Sequence, residues 1–243
     1  MIETIKIHFP GEHDVRRWDF SFSAQGTMRL PQVFKKGGIP EWVKLETYQC
    51  PACTLKPESS PVCPVAQVMA KYAYDLADRQ SHETVNVEII QKDSEPFMIN
   101  NVSLQRVVGE LVRLGAFQYE CPVGRKIKQP MTELPPFPSS EEILSAFTRA
   151  FADHQSAEGG FEKEHTQLLE DLHDLFGNIT LRLDQVGQGD AHLNGVVILH
   201  SLSMLFSLSA PELVRKFNQE KQNNQEERQD APADNEEEKE QTE

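Results

Sequence analysis

The chain has no glycine-rich phosphate loop, no G-x-G-x-x-G fingerprint, no H-E-x-x-H and no G-x-S-x-G elbow. Nucleotide-binding, zincin and serine-hydrolase chemistries are therefore not indicated by any motif. No two histidines stand at His-x3-His spacing, so a histidine metal site is not expected, and His200 on an apolar stretch reads as a satisfied core histidine. Basic residues are scarce: 24 Lys and Arg face 38 Asp and Glu, for a net charge of −14. That balance argues against sequence-independent binding to nucleic acid, which requires a basic face. The N-terminus lacks a basic segment followed by an apolar run, so Met1 to Pro10 does not read as a secretory signal. The most apolar run, Gly195 to Leu208, is 14 residues long and interrupted by His200, Ser201, Ser203 and Ser207. A membrane-spanning helix takes roughly 20 residues, so this run is expected to be a buried core helix in a cytoplasmic protein. No repeat with a period of about 20–50 residues is visible.

Cysteine is also sparse, and its placement is informative. All four, Cys50, Cys53, Cys63 and Cys121, fall in the first half of the chain with the spacing C-x2-C-x9-C-x57-C, and Cys50, Cys63 and Cys121 are each followed by proline. In a reducing compartment such a set points to metal or redox chemistry rather than structural disulfides. A C-x2-C turn lets two sulfurs reach one metal at about 2.3 Å. Proline stiffens that turn, and Pro64 is suited to the first position of a helix that would place Cys63 at its N-terminus. There the helix dipole favours thiolate, the form that binds metal. The expected ligands are Cys50, Cys53, Cys63 and Cys121. Structural zinc is the favoured occupant, an iron–sulfur cluster the alternative, and reduced core cysteines with a redox-active Cys50–Cys53 pair the plain reading.

The surrounding pattern predicts an α+β fold. Ile5, Ile7 and Phe9 alternate, a turn follows at Pro10 to Asp14, and Trp18, Phe20 and Phe22 alternate again, as for a β-hairpin. A helix is expected from Pro64 to near Arg79, and a second hairpin over Val85 to Ile99. A further helix should run from Leu104 to a C-cap at Gly115. These make an α+β region over 1–129 that carries the cysteine knuckle. The four prolines of 130–138 predict an extended connection. A helical region over 139–217, packed on the first, opens with a capping box at Ser139 to Glu142. Glu162, Glu164, Glu170, Asp171 and Asp174 read as a solvated helix face, Gly177 as a kink site, and Pro211 as the start of a short last helix. From Asn218 to Glu243 there are ten acidic and three basic residues and no aromatic, so 218–243 is expected to be a disordered acidic tail.

Trp42-x2-Leu45, Cys50-Pro51-x-Cys53-x-Leu55, Cys63-Pro64-x-Ala66 and Cys121-Pro122 ahead of Pro130-Met131 together resemble a bacterial family of unknown function with this motif order. Asn194 with Val196 to Leu199 is similar to another family segment. This chain departs from the pattern in carrying Tyr119-Glu120 before the last cysteine. The resemblance implies a site without implying a reaction. The sequence assigns no catalytic residue, and an accessory or interaction role is expected. Partners would be a protein or a second copy met through the helical region, with no nucleic acid and no membrane. Arg125, Lys126 and Lys128 form a small basic patch that reads as a surface loop or a docking spot for an acidic partner.

Overall fold

The structure, a computed structural model, describes residues 2–13, 15–20, 38–117, 120–153, 161–187 and 189–230. Four strands, β1 (Ile2–His8), β2 (Val15–Asp19), β3 (Thr84–Gln91) and β4 (Phe97–Ser103), form an antiparallel sheet in the order β2-β1-β3-β4. Both expected hairpins are present, and β1 joins them by pairing with β3, with Ile5 opposite Ile89 and Ile7 opposite Val87. Because side chains alternate along a strand, this register gathers Ile5, Ile7, Trp18, Val85, Val87 and Ile89 as buried residues. The polar alternates face outward, where Lys6 Nζ meets Glu88 at 3.0 Å. The second strand was expected to reach Phe22; β2 ends at Asp19, and residues 21–37 lie outside the described residues.

Six α-helices complete the described fold: α1 (Pro64–Ala73), α2 (Leu104–Ala116), α3 (Lys128–Thr132), α4 (Ser140–Asp153), α5 (Phe161–Leu183) and α6 (Ala191–Asp230). Pro64 occupies the first turn of α1, as its fixed φ and missing N–H favour. That helix gives way to turns after Ala73, short of Arg79. Gly115 does not close α2. It lies inside the helix against α1, where an added Cβ would stand 3.1 Å from Val68 Cγ1, and the helix ends at Ala116 with Phe117 as its C-cap. The proline-rich connection is not wholly extended, since α3 includes Pro130. A first-turn proline removes no intrahelical hydrogen bond, so the helix tolerates it.

The capping box forms as expected. Ser139 N donates to Glu142 Oε2 at 2.7 Å, and Glu142 N donates to Ser139 Oγ at 3.2 Å. Pro211 does not begin a separate helix, because α6 continues through it to Asp230. Packing on both sides of the proline, by buried Ala210 and Val214, accompanies the unbroken helix. Residues 218–230, expected to be disordered, belong to α6; 231–243 lie outside the described residues.

One continuous cluster of buried apolar side chains reaches from Ile2 to Val214. Helix α6 packs on α2, α4 and α5. Phe206 stacks on Phe147 at 5.6 Å and meets Phe151 edge-on at 4.9 Å. The α2–α6 crossing is close because Gly109 and Gly195 face each other; a Cβ on Gly195 would stand 2.4 Å from Val108 Cγ1. By length and composition Ala191–Lys221 could cross a membrane, with 39% of its most apolar window buried. Length does not distinguish the two roles; the packing of α6 on α2, α4 and α5 supports a core role.

The turn before α6 is bound to the turn after α1. Gly189 N donates to the Ala77 carbonyl at 2.7 Å, and Asp190 accepts from Ser81 N at 2.6 Å and Ser81 Oγ at 3.0 Å. The Ser81 backbone donor holds the Asp190 carboxyl below the ordinary range.

Candidate metal centre

The first cysteine pair sits in a loop whose two ends are fastened together. Lys44 forms an antiparallel bridge with Val62, Leu45 N donates to the Pro61 carbonyl at 3.0 Å, and Cys63 N donates to the Val43 carbonyl at 2.9 Å. Trp42 anchors the entry by donating from Nε1 to Tyr74 Oη at 2.8 Å. Within the loop, Cys53 N donates to the Cys50 carbonyl at 2.9 Å. That contact closes the C-x2-C segment as a tight turn, preceded by Tyr48 at φ 48°. Backbone closure thus returns the chain from Cys50 and Cys53 to Cys63.

Cys63 is the N-cap of α1, and its side chain makes no capping hydrogen bond. The sulfur is free for other chemistry beside the positive end of the helix dipole. Cys121 is buried and starts a second turn, in which Gly124 N donates to Cys121 Sγ at 3.3 Å and Arg125 N to the Cys121 carbonyl at 3.0 Å. Glycine is required at 124 because a Cβ there would lie 1.9 Å from the Ala116 carbonyl oxygen.

These turns bring the four cysteines into one neighbourhood. Burial pushes the Cys50 thiol up to about 11; the Asn178 amide opposes this by hydrogen bonding, Cys63 and Cys53 add repulsion, and Arg182 opposes it weakly. Burial likewise pushes Cys121 up to about 12, against the Gly124 N–H and with repulsion from Cys63 and Cys50. All four are free thiols. The donor set converges without closing: among the described residues, no group of three or more His, Cys, Asp or Glu side chains is disposed to hold a metal ion. The thiol chemistry suits zinc or an iron–sulfur cluster, and ligation requires loss of the thiol protons and convergence of the sulfurs.

Sequence reasoning missed the helix that faces the cysteines. Asn178 and Arg182 are four apart on α5 and share one face. Arg182 is 1% exposed and donates to three backbone carbonyls, those of Trp42 and Lys44 at 2.7 Å each and Leu45 at 3.2 Å. Among the described residues, no carboxylate forms an ion pair with it. A polar pair set within the apolar stripe of Leu175, Ile179 and Leu183 was the available signal.

The other sequence candidates resolve differently. Lys126 of the basic patch reaches Asp171 at 2.5 Å, and Asp171 is buried rather than part of a solvated face. His192 is the core histidine, fully buried with Nε2 at 3.1 Å from the Leu183 carbonyl. His200 is only half-buried and faces His173 across the α5–α6 junction. A separate cavity of about 380 Å³ lies between α2, α4 and α6. It includes the buried pair Glu110–Arg113, joined at 2.6 and 2.8 Å, and no cysteine. That pair is internally neutralised, so the cavity is chemically less pointed than the cysteine cluster.

A family model described as a domain of unknown function (DUF6901) matches residues 13–222, and the chain belongs to that family. No curated protein and no solved structure matches it.

Proposed function

We propose that Cys50, Cys53, Cys63 and Cys121 bind one zinc ion as thiolates and brace the N-terminal loop against the turn after α2. The protein is then a non-enzymatic accessory protein, with the metal serving structure rather than turnover. The observation that carries this reading is Arg182. A guanidinium buried among neutral carbonyls is costly unless an anion lies close by. Among the neighbours that shift the Cys50 thiol are Cys53, Cys63 and Arg182. Four thiolates around a divalent ion carry a net charge of about −2, which makes Arg182 the counter-charge of the filled centre. Zinc would supply a closed tetrahedral cross-link, and in small domains such ligation contributes on the order of 10 kcal/mol to folding.

The same ligands suit an iron–sulfur cluster for electron transfer or sensing. The N–H donors aimed at sulfur, from Gly124 to Cys121 and from Asn178 to Cys50, favour that second reading. The partner-binding role falls to the helical half, where Leu181, Val197, Leu205 and Leu208 stand exposed.

Metal analysis of full-length protein purified without oxygen decides between these readings. Zinc predicts colourless protein with about one equivalent bound. Broad visible absorption that bleaches with dithionite would establish the cluster instead. Metal-free protein of undiminished stability would overturn both. Cys121→Ser should lower metal content and stability together; unchanged content would remove Cys121 from the ligand set.

A further inference from the structure

Helices α5 and α6 are consecutive and joined by the short segment 184–190. His173 lies ten residues before the end of α5 at Leu183, and His200 nine residues after the start of α6 at Ala191. A helical hairpin therefore sets them at nearly the same height. Met204 stands one turn beyond His200 on the same face of α6. His173 is nine positions from Arg182, about half a turn around α5, and so lies on the side away from the cysteines.

His173 Nδ1 stands 2.9 Å from His200 Nε2 and 3.1 Å from Met204 Sδ. The ring centroids are 4.7 Å apart with a 56° tilt. A proton on one ring nitrogen accounts for the imidazole–imidazole contact. It does not account well for a thioether at the same nitrogen, since that sulfur is a weak acceptor. A cation placed among the three atoms would use the lone pair of each. With bonds of about 2.0 Å to nitrogen and 2.3 Å to sulfur, ligand atoms in a trigonal or tetrahedral site stand about 3.3–3.7 Å apart. The observed separations need widen by only a few tenths of an ångström. No net deprotonation is required, because each neutral ring can carry its proton on the nitrogen that faces away.

We propose that His173, His200 and Met204 form a surface site for a soft monovalent ion, copper(I). Two imidazoles and a thioether are a soft donor set without carboxylate or carbonyl oxygen, which disfavours magnesium and calcium. Zinc sites draw on cysteine, histidine and carboxylate rather than thioether. Burial lowers the His200 pKa, and the neighbouring His173 lowers it further, so the His200 ring favours the unprotonated form that a metal needs.

Silver(I), a diamagnetic and redox-inert stand-in for copper(I), tests the site in the full-length protein labelled at the methionine methyls and histidine rings. The cysteine thiols also take silver, so the readout must be local. The expected result is a single titration step in which the Met204 methyl and both histidine rings shift together, apart from the cysteine step. Met204→Leu should weaken that step by about 10- to 100-fold and leave the cysteine step unchanged. His173→Gln, on the other helix, should abolish it, with circular dichroism confirming the fold of both variants. Rings and methyl that stay unmoved while the cysteines saturate would overturn the proposal. So would an unaltered ring response in Met204→Leu.

Discussion

Replacing Arg182 with methionine separates a structural arginine from the counter-charge of a thiolate centre. The side chain holds three backbone carbonyls at 2.7, 2.7 and 3.2 Å in a site that is 1% exposed. Hydrogen bonds from a charged donor contribute about 1.5–3 kcal/mol each, so losing all three should cost about 3–6 kcal/mol once the weakest is discounted. Methionine fills much of the volume, which keeps cavity formation from dominating. That cost applies whether or not metal is present. The filled centre alone bears a second cost, since burial leaves a net charge near −2 uncompensated. The assay is urea unfolding of wild type and Arg182→Met with and without a chelator, combined with competitive measurement of zinc affinity. Zinc affinity should fall by about tenfold or more, each tenfold step corresponding to about 1.4 kcal/mol. Arg182→Lys retains the charge but not the fork geometry, and should recover affinity more fully than stability. Equal destabilisation with and without metal, together with unchanged zinc affinity, would refute the electrostatic reasoning.

Three further outcomes follow from particular contacts. Gly195→Ala places a Cβ 2.4 Å from Val108 Cγ1 and 2.8 Å from Gly109 N; forcing α2 and α6 apart should cost about 1–3 kcal/mol or more, read as a lower urea midpoint. Lys126→Met leaves buried Asp171 with Gln167 as its described hydrogen-bond partner. Thermal unfolding should show a loss of about 3 kcal/mol, largely recovered in the Lys126→Met, Asp171→Asn double variant. Metal-free protein should lose stability as pH rises from 9 toward about 12, because Cys50 and Cys121 have folded pKa values raised to about 11 and about 12 from an ordinary 9. In that window the unfolded chain has released protons the native state retains, so stability is full below 9 and falls above it. Bound metal, which requires thiolate, should remove this dependence, and denaturation at several pH values with and without chelator checks both halves.

The legibility of the chain varied with the range of the interaction. The strands around Ile5 and Val87, the start of α1 at Pro64 and the capping box at Ser139 rest on contacts within a few residues, and all were readable. The end of α2 was not. Gly115 looks like a C-cap, yet its missing side chain serves the approach of Val68 from another helix. Pro211 signals a helix start in isolation, but α6 continues through it, with Ala210 and Val214 buried in the core. Asp171 reads as one of several helix carboxylates until the loop after Cys121 delivers Lys126 to it.

By itself the sequence determined the class of local elements, the polar and apolar faces of the strands, and which four side chains could act as thiolates. Those properties depend on residue type, period and neighbouring turn chemistry. Tertiary structure decided that β1 joins the two hairpins, that Arg182 faces Cys50 with no carboxylate partner among the described residues, and that His173 meets His200 and Met204. These depend on helix rotation and strand pairing, which are set by the packing of the shared core. No local pattern encodes that packing, because each face acquires its partner only when the whole core closes.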